Sequence, residues 1–245
     1  MGVHPARVCG RAPAPVFPRT PTPETPKLRV AVDVDEVLAR FVHNLNRFVY
    51  ETSGTMYLET DYFEYNFAKV WDVDQPTSAR IVHAFFESER LFQAGLPVIP
   101  GAKGALNRLK EQHGCEFVVV TSRQHVIADA TVAWIADEFP ELFDDVLFGN
   151  HWTLEPNQTS RTKAEMCAGA RADVLVDDNV GYAQECAEAG LQVVLFGDYA
   201  WNAAAPLSLH PNVSRAATWA EAELALTNLA LVKQMAAVRL PELPG

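Results

Sequence analysis

The sequence is poor in cysteine. Its 245 residues include four, Cys9, Cys115, Cys167 and Cys186, and no two of them form a C-x-x-C pair. This spacing argues against a structural zinc site. Few and widely separated cysteines are typical of free thiols in a reducing compartment. We therefore expect an intracellular, soluble protein.

Positive charge is also scarce. Lysine and arginine number 20 and aspartate and glutamate 31, which gives a formal net charge of −11. A chain this acidic lacks the broad basic face that holds polymeric nucleic acid or an anionic membrane, and we expect neither partner. It also lacks the long apolar run of a membrane span. A small phosphorylated substrate stays open, because one metal ion and one lysine can reverse the field locally.

The N-terminal 27 residues are rich in proline and almost free of acidic residues. Residues 1–27 contain seven prolines and one acid, Glu24. Proline this dense prevents regular structure, and we predict a disordered leader. The segment carries arginine and almost no acid, so an organelle transit peptide stays open as an alternative. The first reading places the protein in the cytoplasm and the second in a plastid or mitochondrion.

The rest of the chain alternates between two patterns. Short apolar runs typical of strands buried on both faces lie at Leu28–Val32, Phe117–Val120, Asp145–Phe148, Val174–Val176 and Val193–Phe196. Helical segments separate them, at Ala102–Gln112, Ile127–Glu138, Lys163–Ala170 and Tyr182–Ala189, and a final helix is expected from Thr218. This alternation predicts an α/β fold, a three-layer Rossmann-like core around a parallel sheet.

One stretch breaks the alternation. From Phe41 to Leu91 the sequence is rich in aromatic residues and has no strand-like run. We interpret it as a small helical cap inserted after the first strand. The predicted organisation is a catalytic core at 28–40 and 97–205, a cap at 41–96, and a C-terminal extension with a helix at 206–245.

Polar residues cluster where the predicted strands end. In a parallel sheet the carboxyl ends of the strands meet at one edge, where ligands bind. The residues expected there are Asp33 and Asp35 after the first strand, Thr121, Ser122 and Arg123 after the second, and Asp177 and Asp178 after the fourth. Burying so many acids is costly without a cation, and oxygen ligands favour Mg²⁺. Taken singly, each could be an acidic loop or a capped turn.

In chain order these segments resemble the four motifs of the haloacid dehalogenase superfamily of phosphohydrolases. The matching segments are Val30–Leu38, Val118–Ser122, Lys163 and Val174–Asp178, and the resemblance covers residues 28–202. It implies a phosphatase in which Asp33 is the nucleophile and Asp35 the general acid and base. It further implies that Thr121, Ser122 and Lys163 bind the phosphoryl group. Mg²⁺ would be held by the Asp33 carboxylate, the Asp35 backbone carbonyl and one of Asp177 and Asp178.

The superfamily usually has glycine at the position of Glu36, where it eases the turn that leaves the strand. We expect Glu36 to accept this turn and to point into solvent. Contact with a substrate hydroxyl or with the water shell of the metal is the alternative.

The substrate is less closely defined. The segments Val37–Phe41 and Ile99–Ala102 resemble the 5′(3′)-deoxyribonucleotidases, which implies a deoxynucleoside or nucleoside 5′-monophosphate. The same resemblance makes Phe41 the first candidate for stacking on a base, with Phe92 in the matching region of the cap and Arg123 as a second polar contact. A phosphatase of a phosphorylated sugar or another small metabolite is the alternative. A binding protein on a phosphatase scaffold is a third reading, which the complete motif set disfavours.

Overall fold

The computed structural model describes residues 26–89, 92, 95–151, 159–203 and 210–237. The expected leader lies outside the described residues except for Pro26 and Lys27. The C-terminal extension is described over residues 210–237. Among all these residues, no helix is both long and apolar enough to cross a bilayer.

Six parallel strands form one sheet in the order β3-β2-β1-β4-β5-β6. Their bounds are β1 Arg29–Val32, β2 Glu116–Thr121, β3 Phe143–Phe148, β4 Val174–Asp177, β5 Gln192–Phe196 and β6 Val213–Ala216. β1 lies at the centre between β2 and β4, so the segments that follow these three strands are neighbours at the carboxyl edge. The expected α/β fold with a parallel sheet is confirmed.

Helices cover both faces of the sheet. Their bounds are α1 Phe41–Ser53, α2 Phe67–Val70, α3 Gln75–Phe86, α4 Ala102–His113, α5 Ala128–Glu138, α6 Lys163–Ala170, α7 Val180–Glu188, α8 Ala200–Ala203 and α9 Trp219–Ala237. Side chains of α6 and α7 pack on one face, whereas those of α4, α5 and α9 pack on the other. Alternate strand residues point to opposite faces, and in β1, β2, β4 and β5 the buried residues of both sets are mainly apolar, as burial on both sides requires.

The sixth strand is a difference from the sequence-based expectation of five. β6 has the sequence Val-Ser-Arg-Ala, and its two central side chains are exposed. It pairs only with β5 at the edge of the sheet, so it needs no apolar run. Together with α9, which packs in the main hydrophobic core, β6 makes residues 213–237 part of the same layered structure.

The described residues between β1 and α4 include α1, α2 and α3 and a 3-10 turn at Glu59–Asp61. The interior of this segment is aromatic. Phe85 is fully buried and lies edge-on to Phe41 and Phe92, with ring centroids 5.3 Å away in both cases. Tyr62 and Trp71 share a buried hydrogen bond, from the indole nitrogen to the phenol oxygen, at 3.0 Å. This aromatic packing stabilises the segment between β1 and α4, which we call the insertion.

Candidate active site

The site is built around a lysine with no solvent exposure. Lys163 is the first residue of α6, whose start is fixed by a capping box between Thr162 and Glu165. Its ammonium group donates to the carbonyl oxygen of Val120 at 2.8 Å. The same group lies 2.7 Å from Oδ1 of Asp33 and 2.8 Å from Oδ2 of Asp177. One cation therefore bridges the ends of β1, β2 and β4.

A third buried carboxylate completes the cluster. Asp178 follows Asp177, and the two, together with Asp33, offer carboxylate oxygens that all lie within 4.8 Å of one another. Its Oδ2 accepts a hydrogen bond of 2.7 Å from the indole nitrogen of Trp201. Asn202 fixes the local backbone through a 3.0 Å hydrogen bond to the Asp178 carbonyl oxygen. The cluster consists of oxygen donors alone, the set that hard divalent cations prefer.

The three buried carboxyl groups and the one ammonium group of the cluster favour further positive charge, either as protons or as a cation. Burial raises the pKa of Asp33 to about 7, against the opposing attraction of Lys163. Burial also raises the pKa of Asp178 well above its usual range, and the neighbouring Asp177 and Asp33 add to this rise. Burial alone would lower the pKa of Lys163, but Asp177 and Asp33 outweigh it and raise that pKa. One ammonium faces three buried carboxylates, so the donor set fits a divalent metal ion.

Thr121 and Ser122 stand beside this cluster at the end of β2, as expected. The Thr121 hydroxyl oxygen accepts the backbone N–H of Arg123 at 3.2 Å. Ser122 hydrogen-bonds the Tyr182 hydroxyl, which in turn lies 2.7 Å from Nδ1 of His151. Tyr182 also places its ring 5.3 Å from the Lys163 ammonium. Of these two residues, Ser122 is thus linked through a hydrogen bond to Tyr182 of α7.

Asp35 has a partner that the sequence did not suggest. Arg123 holds its carboxylate in a fork, with Nη2 2.7 Å from Oδ1 and Nε 3.1 Å from Oδ2. The guanidinium group of Arg123 thus contacts Asp35, and the substrate contact expected of Arg123 stays a prediction. Such a pairing joins residues 88 positions apart, so only the tertiary structure reveals it.

The expectation that Glu36 points into solvent is wrong. Glu36 adopts the left-handed conformation, with φ of 59°, but its residue is only 2% exposed. Its Oε1 accepts the backbone N–H of Val42 at 2.6 Å, in the first turn of α1. Burial raises the pKa of Glu36 to about 8, opposed by that hydrogen bond. An orphan N–H at a helix start attracts a carboxylate, which explains the inward orientation.

Three aromatic side chains lie beside the acidic cluster, and the sequence analysis did not select them. We call these three residues, Tyr65, Tyr199 and Trp201, the aromatic wall. Trp201 and Tyr199 stack with ring centroids 4.5 Å apart, and Tyr65 meets Trp201 edge-on at 5.6 Å. Burial raises the pKa of the Tyr65 phenol well above its usual range, and the charges of Asp178 and then Asp35 raise it further. Tyr199 and Trp201 follow β5 at the carboxyl edge, and that position was the signal available in the sequence.

Phe41 and Phe92 lie deeper than this aromatic wall. Phe41 is 5% exposed and Phe92 2%, and both rings pack into the aromatic interior of the insertion. Phe41 contacts Phe67 face to face at 6.3 Å as well as the edge of Phe85. Little of either ring is left to face a ligand, and a base contact by Phe41 or Phe92 stays a prediction.

Residues 27–233 match the profile of the family described as 5′ nucleotidase, deoxy (pyrimidine), cytosolic type C protein. The chain belongs to this family. It is therefore an enzyme of the haloacid dehalogenase phosphatase type, and the expected resemblance is confirmed. No curated protein sequence matches the chain at a significant level.

Solved structures of the same superfamily share the fold. A haloacid dehalogenase-like hydrolase from Streptococcus pneumoniae is 14% identical, covers 82% of this chain and 98% of its own, and has a TM-score of 0.59. CbbY from Rhodobacter sphaeroides, in complex with xylulose-(1,5)bisphosphate, is 14% identical, with 79% and 95% covered and a TM-score of 0.53. A subfamily IA hydrolase from Geobacter sulfurreducens is 16% identical, with 82% and 96% covered and a TM-score of 0.52. At these identities the likeness concerns the fold alone.

Proposed function

We propose that this nucleotidase-family phosphatase is a Mg²⁺-dependent phosphomonoesterase that acts on a nucleoside or deoxynucleoside 5′-monophosphate through an aspartyl phosphate. The observation that carries the proposal is the buried Lys163 ammonium between Asp33 and Asp177. A lysine without solvent exposure that neutralises two strand-end carboxylates has a clear use where a phosphate dianion must approach a carboxylate nucleophile.

The reaction takes two steps that restore the enzyme. In the first, a carboxylate oxygen of Asp33 attacks phosphorus, the ester P–O bond breaks, and the leaving oxygen takes a proton from the Asp35 carboxyl group. In the second, water attacks the phosphorus of the aspartyl phosphate, the Asp35 carboxylate takes a proton from that water, and Asp33 is released. The sum is hydrolysis of the phosphoester to an alcohol and inorganic phosphate.

The neighbouring side chains serve the phosphoryl group. Thr121 and Ser122 offer hydroxyl groups at the end of β2, and Lys163 balances the charge on Asp33 and on the phosphoryl oxygens. Asp33, Asp177 and Asp178, with the backbone carbonyl of Asp35, would hold the Mg²⁺ ion. When bound, the ion supplies charge stabilisation to the phosphoryl oxygens.

The aromatic wall supports a nucleotide as the substrate. Tyr65 and Trp201 present rings beside the acidic cluster, where the leaving group must lie, and flat aromatic faces bind nucleobases by stacking. The family description names a deoxy, pyrimidine 5′-nucleotidase. We propose that residues 41–96 act as the cap that brings Tyr65 to the core. The sugar bisphosphate bound by the CbbY neighbour makes a phosphorylated sugar the second candidate.

The test is phosphate release by the purified full chain from a panel of nucleoside and deoxynucleoside monophosphates and sugar phosphates, with Mg²⁺ and with a chelator. We expect the highest kcat/KM for a nucleotide, dependence on Mg²⁺, and no turnover by Asp33→Asn. Tyr65→Ala should raise KM for nucleotides more than for p-nitrophenyl phosphate, which has no base or sugar. A sugar phosphate that exceeds every nucleotide would contradict the substrate assignment, and an active Asp33→Asn would contradict the mechanism.

A further inference from the structure

We propose that Arg123 is a positioning residue, which fixes the carboxylate of Asp35 in the orientation needed for proton transfer. The inference rests on the proposed function, because it assumes that Asp35 is the general acid and base. It assigns to Arg123 a task in the chemical step in place of the substrate contact that the sequence suggested.

The contact geometry is that of a planar fork. Nη2 of Arg123 lies 2.7 Å from Oδ1 of Asp35, and Nε lies 3.2 Å from Oδ1 and 3.1 Å from Oδ2. Two nitrogens of a rigid guanidinium on the two oxygens of one carboxylate fix the plane of that carboxylate as well as its distance. A single point charge such as an ammonium group would not fix the plane.

Arg123 is itself held on its other sides. Its Nη1 donates to the Thr131 hydroxyl oxygen at 3.0 Å, and that hydroxyl donates to the carbonyl oxygen of Ile127 at 2.8 Å. The guanidinium carbon lies 5.2 Å from the centroid of the Phe92 ring, within cation–π range. The Arg123 side chain is 3% exposed, so solvent does not compete for its donors. The orientation of Asp35 is therefore tied to α5 and to the insertion.

The distribution of the contacts leaves one oxygen for chemistry. Oδ1 of Asp35 receives two of the three contacts from Arg123, and Oδ2 receives one, at 3.1 Å. A carboxylate oxygen can accept two hydrogen bonds, so Oδ2 keeps the greater capacity. The structure thus assigns Oδ2 as the oxygen that gives the proton to the leaving group and takes it from water.

A comparison of leaving groups separates positioning from substrate binding. An alcohol leaving group, as in a nucleoside 5′-monophosphate, needs a proton as it departs, whereas p-nitrophenolate departs without one. We therefore measure the release of nucleoside and of p-nitrophenolate in the first turnover at saturating substrate and Mg²⁺, before the second step limits the rate. The variants are Arg123→Gln and Arg123→Lys, with Asp35→Asn as the reference for a lost acid.

The chain offers a matched control in Arg108. It forms a slightly closer fork on Glu223, with both N···O distances 2.7 Å, but on the exposed surface between α4 and α9. Arg108→Gln removes the same kind of contact far from the sheet edge and should leave both first-turnover rates unchanged. Thermal melts of all variants check that the fold persists.

We expect Arg123→Gln to slow the release of nucleoside about 100-fold, which is the lower range for lost acid–base catalysis. We expect the same variant to slow the release of p-nitrophenolate by less than about threefold. Arg123→Lys should fall between Arg123→Gln and the unaltered enzyme. Equal slowing of both substrates would mean a merely structural role and would overturn the inference. A raised KM for the nucleotide with an unchanged first-turnover rate would do the same, because it would return Arg123 to substrate binding.

A second measurement keeps the inference separate from the proposed function. If the unaltered enzyme hydrolysed neither substrate, the proposed function would fail. The crystal structure of Arg123→Gln would then decide the positioning claim alone. We expect the Asp35 carboxylate to rotate or to occupy several orientations in that variant, and a carboxylate that stays in place would overturn the claim.

Discussion

Replacement of Lys163 by methionine tests the charge balance of the site. Methionine is similar in length and needs no hydrogen-bond partner, so the change removes charge with little loss of volume. It leaves the Asp33 and Asp177 carboxylates facing each other across the space of the former ammonium group. We expect a large loss of stability in the metal-free protein.

The magnitude follows from the distances. Each carboxylate lies 2.7 or 2.8 Å from the ammonium nitrogen, and Coulomb's law gives about 6 kcal/mol per pair at an effective dielectric constant of about 20. The desolvation of three buried ions offsets much of this attraction, and loss of one partner of a buried pair costs about 3–5 kcal/mol. For a protein of this size that corresponds to a fall in melting temperature of about 6–20 °C.

The assay is thermal and urea unfolding in the presence of a chelator, with Lys233→Met as the matched control. Lys233 also pairs with an aspartate, Asp173, but both side chains are about one third exposed. An exposed pair contributes about 0–1 kcal/mol. The double variant Lys163→Met, Asp177→Asn should recover part of the loss, because it removes one of the two repelling charges.

Two results would refute this reasoning. The first is a Lys163→Met melting temperature within about 2 °C of the control, less than about 1 kcal/mol for a chain of this length. It would mean that the cluster does not depend on the ammonium group for neutralisation. The second is a double variant less stable than the single one, which would mean that repulsion between the carboxylates is not the source of the loss.

Three further outcomes are expected. Mg²⁺ at 100 times its dissociation constant should raise the free energy of unfolding by about 2.7 kcal/mol. Thermal melts with Mg²⁺ and with chelator should show a smaller stabilisation for Asp178→Asn. Stabilisation equal to that of the unaltered protein would mean that Asp178 is not a ligand. Phe85→Ala should lower the free energy of unfolding in urea by about 3–5 kcal/mol, as loss of a fully buried ring does. Phe63 is exposed, and Phe63→Ala should change this free energy by less than about 0.5 kcal/mol. Similar losses for the two variants would contradict the aromatic core. Glu36→Ala should lower the free energy of unfolding by about 1 kcal/mol, because the Val42 N–H loses its acceptor. Glu36→Gln keeps an acceptor and should recover most of this loss. A Gln variant as unstable as the Ala variant would contradict the capping of α1 by Glu36.

The fold could be predicted wherever one physical signal dominates. The strands of a sheet covered on both faces must be apolar along their length, and β1, β2, β4 and β5 stand out for that reason. Helix limits were also close where a cap is strong: α6 runs from Lys163 to Ala170 as expected, behind the Thr162 capping box. β6 was missed because an edge strand buries few side chains and is fixed by the backbone of β5.

In the candidate site too, the sequence predicts the residues for which a general rule applies and misses the contacts for which none does. Asp33, Thr121 and Asp177 could be located from the rule that parallel strands present their carboxyl ends together, and Lys163 from the order of the motifs. The fork of Arg123 on Asp35 could not, since nothing in the sequence distinguishes a guanidinium that binds substrate from one that binds a neighbouring carboxylate. Side-chain partnership is set by distances of a few ångströms between residues far apart in the chain, and charge alone leaves several partners equally plausible.

Glu36 shows what the substitution of a turn glycine achieves here. A non-glycine residue in the left-handed conformation costs about 1–2 kcal/mol, so the position favours glycine unless the side chain returns a comparable free energy. The carboxylate of Glu36 meets the Val42 N–H at the start of α1, and its backbone carbonyl accepts the Tyr199 hydroxyl at 2.7 Å. The turn that follows Asp35 is thereby tied to the first helix of the insertion and to Tyr199, which immediately precedes α8. Glu36 is strained and is kept in place by contacts on both sides. Through these contacts it fixes the core, the insertion and the aromatic wall relative to one another at the point where the substrate would bind.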